Sequence, residues 1–290
     1  MIKLQNEQLT VMIDSKGAEI KRITSVATGL EYLHDGNPAY WGRTSPVLFP
    51  IVGSLAQGTY YHEDVAYQLS QHGFARDMVH EVVSQTQTSV MFSLKSTEET
   101  LRRYPFEFEL RVSYQLEASQ VTVSWDVLNP SDETMYFSIG AHPAFSTFGE
   151  SLENYYLHFK DSDGIDTFLF DDKSGRVFEE KETIIEGLKL LPLSEGLFEE
   201  YPVLILDEES EITVASYEHD HKVTVTFEGF PYVGIWTPVN EGKAAPFICI
   251  EPWYGVADTV DAPQELKHKT GIQTLAPHAQ FAAAYQMTFE

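Results

Sequence analysis

Apolar and polar residues alternate with a period of two along much of this chain. Residues 121–127 (VTVSWDV), 108–114 (FELRVSY) and 223–227 (VTVTF) each place an apolar side chain at every second position. Successive side chains of a strand point to opposite faces, so this pattern predicts strands with one buried and one solvated face, as in antiparallel sheets. Further runs rich in β-branched and aromatic residues occupy 90–94, 135–139, 212–216, 233–236 and 282–289. Turn-forming clusters lie between them at 129–132 (NPSD), 161–164 (DSDG) and 228–231 (EGFP). Helical pattern is confined to 96–103, with Ser96 as the expected cap and Glu98 and Glu99 in the first turn. No composition break, Gly/Ser linker, low-complexity tract or internal repeat divides the chain. The expectation is an all-β, mainly antiparallel fold with few short helices, forming a single domain over 1–290. Sandwiches and barrels reach this size as one unit.

Composition narrows the partners. Hydrophobic residues make up 43% of the 290, enough for a sizeable core. Nineteen basic residues against 44 acidic ones give a net charge of −25. Such a surface repels phosphate backbones and anionic lipid, which argues against nucleic acid and membrane as partners. An anionic substrate would need a local cluster of arginines. The acidic residues are densest at 161–172 and 179–186, which read as solvated loop or hairpin faces. A Ca²⁺ loop at Asp161, Asp163 and Asp166 lacks the ligand ladder and closing glutamate of an EF-hand. Cys249 is the only cysteine, so no disulfide forms within the chain and a reducing cytoplasm is expected. It reads as a small buried hydrophobe before a nucleophile. The first seven residues lack a signal-peptide apolar segment, and no run reaches membrane-span length.

The stretch 247–255 (FICIEPWYG) carries the most chemistry. It sets Glu251 at the end of an apolar run, beside Pro252 and Trp253. A carboxylate held there in partly dry surroundings suits a general base, and the indole face suits a sugar ring. The plainer alternative is a capping or ion-paired carboxylate at a sheet edge. Three more segments offer candidates: 71–77 (QHGFARD) with His72, Phe74 and Arg76, 140–145 (GAHPAF) with His142, and 41–50 (WGRTSPVLFP) with Arg43. Each alone is weak, since a lone histidine is more often structural. Together they put His72, His142 and Glu251 at strand ends among Gly and Pro, where sites are built on rigid sheets. Other chemistries fare worse. His219 and His221 would splay apart on a strand, and no HExxH or Cys/His ladder exists, which excludes a structural zinc. There is no Gly-x-Ser-x-Gly elbow and no glycine-rich phosphate loop opening a helix.

The segments HGFAR (72–76), GAHPAF (140–145) and CIEPWYG (249–255), in this order, resemble the aldose 1-epimerase (galactose mutarotase-like) family. The similarity is to its bacterial LacX-like branch. PVLFPIVG (46–53), FPYVGIW (230–236) and KTGI (269–272) support it, and it extends from about residue 2 to 289. The resemblance implies a β-supersandwich and interconversion of α and β anomers of an aldose without a cofactor or metal. By motif it puts the base on Glu251 and the acid on His142. It puts a sugar contact near the ring oxygen on His72, and grips on hydroxyls or an anion on Arg76 and Arg43. The ordinary pKa values of the glutamate and histidine, about 4.3 and 6.5, need only modest shifts for proton transfer near neutrality. His142, Glu251, His72 and Arg76 should then converge on one open pocket walled by Trp253, Trp236 and Phe74. Two departures touch the substrate. Ser54 follows Gly53 where relatives often carry arginine, and no aspartate precedes the Ile/Leu-rich strand until Asp207, which leaves Glu200 or nothing for a third carboxylate contact. A neutral aldose such as galactose or glucose is expected over a hexose 6-phosphate. The rivals are a non-catalytic sugar-binding protein on the same fold and a glycoside-cleaving enzyme, the latter lacking a second motif-borne carboxylate.

Overall fold

A computed structural model describes residues 1–162, 164–261 and 263–290. The period-two pattern becomes a sheet of nine strands among the described residues. In spatial order they are Leu190–Pro192, Tyr155–Phe159, Glu211–Ser216, Lys222–Thr226, Gln280–Phe289, Gln120–Leu128, Glu109–Glu117, Ser89–Lys95 and Glu81–Gln85. Every pairing is antiparallel. Strand Gln120–Leu128 buries Val121, Val123, Trp125 and Val127 and turns its polar residues outward. The strands expected in this sheet therefore stand, each within three residues of its predicted ends.

A second antiparallel sheet runs Leu204–Leu206, Tyr232–Trp236, Phe247–Tyr254, Ile139–Ala141 and Val47–Leu48, with Ala144–Ser146 also paired to Phe247–Tyr254. Its central strand, Phe247–Tyr254, is buried on both faces for seven of its eight residues. That is why 247–254 reads as a continuous apolar run and not as an alternation. The sheets share an apolar core: Trp125 packs on Phe230 and Tyr285, and Phe137 on Phe281. A small sheet, Ile2–Gln5, Leu9–Asp14 and Glu19–Ser25, joins them through the Tyr114 hydroxyl, which donates to the Ala18 carbonyl at 2.6 Å.

Three expectations need correction. The run 135–139 is two strands: Met135–Phe137 pairs with Gln273–Leu275, and Ile139–Ala141 joins the second sheet. The chain changes partners at Ser138, whose N–H donates to the Pro50 carbonyl at 2.7 Å. The helix is only Glu98–Leu101, capped by Thr97, not Ser96; Thr97 and Thr100 satisfy each other's backbone N–H groups. The Ser96 N–H already donates to the Phe108 carbonyl. A second helix, Glu195–Glu200 with Ser194 as its cap, is absent from the hydrophobic pattern because Phe198 alone is buried. The acidic stretch after residue 163 is a long hairpin, Gly164–Asp171 with Arg176–Glu186. Of the weighed Ca²⁺ ligands, Asp161 accepts from Ser210, Asp166 is exposed, and Asp163 lies outside the described residues.

Candidate active site

The second sheet sets the geometry. Phe247–Tyr254 carries Cys249, Glu251 and Trp253 at alternate positions, hence on one face. Its neighbours make room for the Trp253 ring with glycine. A Cβ on Gly234 would lie 2.3 Å from the indole, and one on Gly140 2.6 Å from it. The indole N–H donates to the Ala141 carbonyl at 3.2 Å. Immediately after Ala141 the chain leaves the sheet at His142-Pro143, which carries the imidazole over Glu251. His142 Nε2 comes within 3.2 Å of Glu251 Oε2, although 251 − 142 = 109 positions separate them.

These groups form the floor of a cavity of about 360 Å³, within the range of small-molecule sites. Trp41, His72, Arg76, His142, Trp236, Glu251 and Trp253 line it, along with Gln71, Gly53, Ser54 and Ala257. Phe170, Asp172 and Gly175 reach it from the acidic hairpin, and Pro202, Val203 and Ile205 from the segment after the second helix. Trp41 stacks on His142 with ring centroids 4.5 Å apart, and Trp236 meets the same imidazole edge-on at 5.5 Å. The His142 ring is thus held on two sides.

His72 is fixed by a reciprocal clamp. Its backbone N–H donates to the Gly53 carbonyl at 2.9 Å, and its Nδ1 accepts from the Gly53 N–H at 3.1 Å. An accepting Nδ1 puts the proton of the neutral ring on Nε2, ready to donate. The residue holds a left-handed backbone, φ +63°, a conformation that costs of order 1–3 kcal/mol and collects at functional positions. Gly73 follows in the same region because any Cβ there would sit 2.3 Å from the Phe49 carbonyl oxygen.

Electrostatics set the pair apart. Burial pushes the Glu251 carboxyl well above the usual carboxylate range, only partly opposed by the Trp253 indole N–H. Burial, then the positive charge of Arg76, lowers His142 to about 3. His72 is lowered well below the ordinary imidazole value by burial, then by His142 and the two arginines. Burial therefore biases both groups towards their neutral forms, imidazole and carboxyl alike. Glu251 Oε2 has no hydrogen-bond partner despite the 3.2 Å approach, and neither has His142 Nδ1. The contact is close but not aligned as a hydrogen bond.

Most of the expected residues converge, with two exceptions. Phe74 does not wall the cavity: it is 2% exposed and packs in the core against Phe49, Tyr104 and Phe108. Its neighbour Arg76 turns towards the cavity while Phe74 turns inward. Arg43 stays behind Arg76, pairing with Asp77 at 2.8 Å and donating to the Arg76 carbonyl at 3.5 Å. Arg76 lines the cavity and donates to the Gln71 carbonyl at 2.6 Å; burial first, then Arg43, lowers it to about 10, so it stays charged at neutral pH. Glu200 faces a separate surface groove, and Asp207 is paired with Lys181 at 2.6 Å. The carboxylate lining the cavity besides Glu251 is Asp172, exposed on the hairpin turn. Sequence reasoning missed it because it lay in a stretch that read only as solvated acid. Trp41 was also missed; its one signal was its place two residues before Arg43.

His219 and His221 lie in a turn ahead of Lys222–Thr226, not on a strand, and their rings approach to 5.3 Å around Phe148. Among the described residues the one set of three His, Cys or acidic donors close enough for a single ion is His142, Cys249 and Glu251.

The fold and the floor of the cavity define an all-β protein of the galactose mutarotase type. The sequence profile of the aldose 1-epimerase family matches residues 1–273, and the chain belongs to that family. It is 31% identical to the chromosomal protein LacX of Lactococcus lactis, over 99% of this chain and 98% of that one. A crystal structure of a galactose mutarotase-related enzyme from Lactobacillus acidophilus superposes with a TM-score of 0.93 at 35% identity, covering 100% of this chain and 97% of the other. A galactose mutarotase-like protein from Lactobacillus casei gives the same TM-score at 31% identity, with full coverage of both.

Proposed function

We propose that this protein is an aldose 1-epimerase, an isomerase that interconverts the α and β anomers of a hexose by acid/base ring opening. The observation that carries the proposal is the buried His142–Glu251 contact at 3.2 Å on the floor of an open, aromatic-walled cavity. Anomerisation moves one proton off the anomeric hydroxyl and puts one on the ring oxygen. Glu251 takes the first and His142 gives the second. The C1–O5 bond breaks as the C1–O1 bond becomes a carbonyl. Rotation about C1–C2 and reclosure with the same groups in reversed roles give the other anomer. Between them the pair carries one proton throughout. Before ring opening it sits on His142, and afterwards on Glu251, the direction in which burial biases the two groups. A bound sugar supplies the hydrogen bonds that Glu251 Oε2 lacks, and so favours its charged form. His72, donating through Nε2, holds the ring-oxygen side, and Arg76 grips hydroxyls. Residues from 41 to 257 contribute to this one cavity, in keeping with one domain over 1–290.

The preferred substrate in this reading is a neutral aldose. Arg43 is committed to Asp77, the residue after Gly53 in the cavity lining is Ser54 and not an arginine, and Asp172 adds negative charge to that lining. A phosphate would meet Arg76 alone in a chain of net charge −25. Proton exchange NMR on purified protein tests the reading. Anomer exchange of galactose or glucose should accelerate with no metal or nucleotide added, and EDTA should not lower the rate. Sugar binding without exchange on a panel of aldoses and aldose phosphates would favour a non-catalytic binding protein instead.

A further inference from the structure

We infer that a thiophilic divalent cation, Zn²⁺ above others, binds His142, Cys249 and Glu251 and shuts the cavity. Cys249 and Glu251 are two apart on one strand and share a face, and His142 comes over that face from the neighbouring strand's end. Their donor atoms all lie within 4.8 Å of one another. A tetrahedral ion with bonds of about 2.0–2.3 Å spaces its ligands about 3.3–3.7 Å apart. The His142–Glu251 pair, at 3.2 Å, is just short of that spacing, and the sulfur needs to close by about an ångström at most. The three residues are 0–7% exposed, and Glu251 Oε2 is buried without a hydrogen-bond partner, a free ligand atom aimed at the others.

Imidazole, thiolate and carboxylate together select Zn²⁺ over Mg²⁺ or Ca²⁺, and three protein ligands leave a fourth position towards the cavity. Charge balance suits a buried site. As the ion enters, the Cys249 thiol and the His142–Glu251 pair each release one proton, so two positive charges leave as two arrive. The bound ion occupies both the acid and the base. That consequence, though not the binding itself, rests on the proposed epimerase reading: metal and sugar exclude each other.

Chelator-stripped full-length protein titrated with Co²⁺ tests the site directly. One equivalent should produce a thiolate-to-cobalt charge-transfer band, abolished by added Zn²⁺ and absent from Cys249→Ala. In anomer exchange, Zn²⁺ should inhibit competitively with sugar, and EDTA should restore the rate. Cys249→Ala and Cys249→Ser, each referred to its own metal-free rate, should raise the inhibitory Zn²⁺ concentration at least about tenfold, as loss of a ligand demands. Absence of the band in the native protein, or equal Zn²⁺ inhibition of native and both variants, overturns the site. The band needs no turnover, so a protein with the band but no exchange keeps the metal site and loses the epimerase reading. Exchange without the band does the reverse.

Discussion

Two buried acid–base pairs sit within this fold, and they are built for opposite ends. Lys269 and Asp258 are 4% and 5% exposed with Nζ and Oδ1 3.0 Å apart; His142 and Glu251 are 7% and 1% exposed at 3.2 Å. The first pair is satisfied. Lys269 Nζ also donates to the Val256 carbonyl at 2.6 Å, and Asp258 Oδ2 accepts from the Ala56 N–H at 2.8 Å. Burial lowers Lys269, but Asp258 opposes the shift. The second pair leaves Glu251 Oε2 and His142 Nδ1 without partners, and both groups are driven towards their neutral forms. A buried charge pair with every hydrogen bond made fixes a backbone. One with open valences is a place for a proton to go. The pairs are also linked: Asp258 holds the 53–56 segment, Gly53 packs on Ala257, and Gly53 clamps His72.

The largest effect should separate the pairs by what each variant loses. Glu251→Gln and His142→Asn should each lower kcat by about 10²–10⁴-fold, the usual worth of a positioned proton-transfer group. Glu251→Gln should not lower the melting temperature at neutral pH. Its folded pKa is raised, so the carboxyl costs stability as pH climbs above its unfolded value, and the amide removes that cost. Full activity in Glu251→Gln, measured by polarimetry, would sink the assignment of the base.

Lys269→Met should do the reverse and cost stability. Stranding the Asp258 carboxylate in the interior is worth about 3–5 kcal/mol, read from urea midpoints. Lys269→Met with Asp258→Asn should recover most of that loss, because the amide oxygen still accepts from Ala56. Were the double variant as unstable as the single one, packing and not charge would explain Lys269.

How legible each pair was in sequence follows from the same physics. The strands of the larger sheet announced themselves because one face meets solvent and the alternation survives, as in 121–127. Glu251 stood out because a carboxylate interrupts a strand buried on both faces. His142 was found by its motif. Its contact with Glu251 depends on two strands pairing Gly140 with Trp253, a register that no local pattern specifies. The Lys269–Asp258 pair was not legible at all, since a lysine near the chain's end reads as surface. Phe74 failed as a sugar contact for a related reason. Motif adjacency to His72 and Arg76 says nothing about which way a side chain turns in an irregular loop. Asp172 was hidden because its solvated hairpin folds back over the cavity only through long-range contacts.

A smaller effect concerns histidines that are merely buried. Burial lowers His80 to about 4, while His142 falls to about 3 and His72 well below its ordinary value. Each is neutral when folded but takes a proton near pH 6.5 when unfolded. Stability is therefore full above pH 6.5 and falls as pH drops towards 4, by up to about 1.4 kcal/mol per unit for each histidine. His80 is 1% exposed, away from the cavity lining, and its Nε2 has no partner. His80→Leu should remove one such increment from the slope between pH 6.5 and 4, leaving anomer exchange at neutral pH unchanged. An unaltered slope in denaturant titrations at pH 7 and 5 would show that His80 is not held neutral by the fold.

The smallest effect tests the charge of the substrate, where the cavity's two sides differ. Arg76 is half-buried and anchored to the Gln71 carbonyl, whereas Asp172 is exposed on the hairpin turn. Exposed charges act weakly and are screened by salt, so Asp172 should bias the encounter without changing the chemistry. Asp172→Lys should raise kcat/KM for glucose 6-phosphate by about two- to fivefold at low salt, through KM, and leave kcat for glucose untouched. The gain should fade at moderate ionic strength. Arg76→Gln, by contrast, should weaken both sugars in a manner that salt masks less, because a partly buried guanidinium is less screened than an exposed carboxylate. A native preference for the phosphate sugar, weakened by salt and lost in Arg76→Gln, would overturn the neutral-aldose reading while leaving the acid and base where they are.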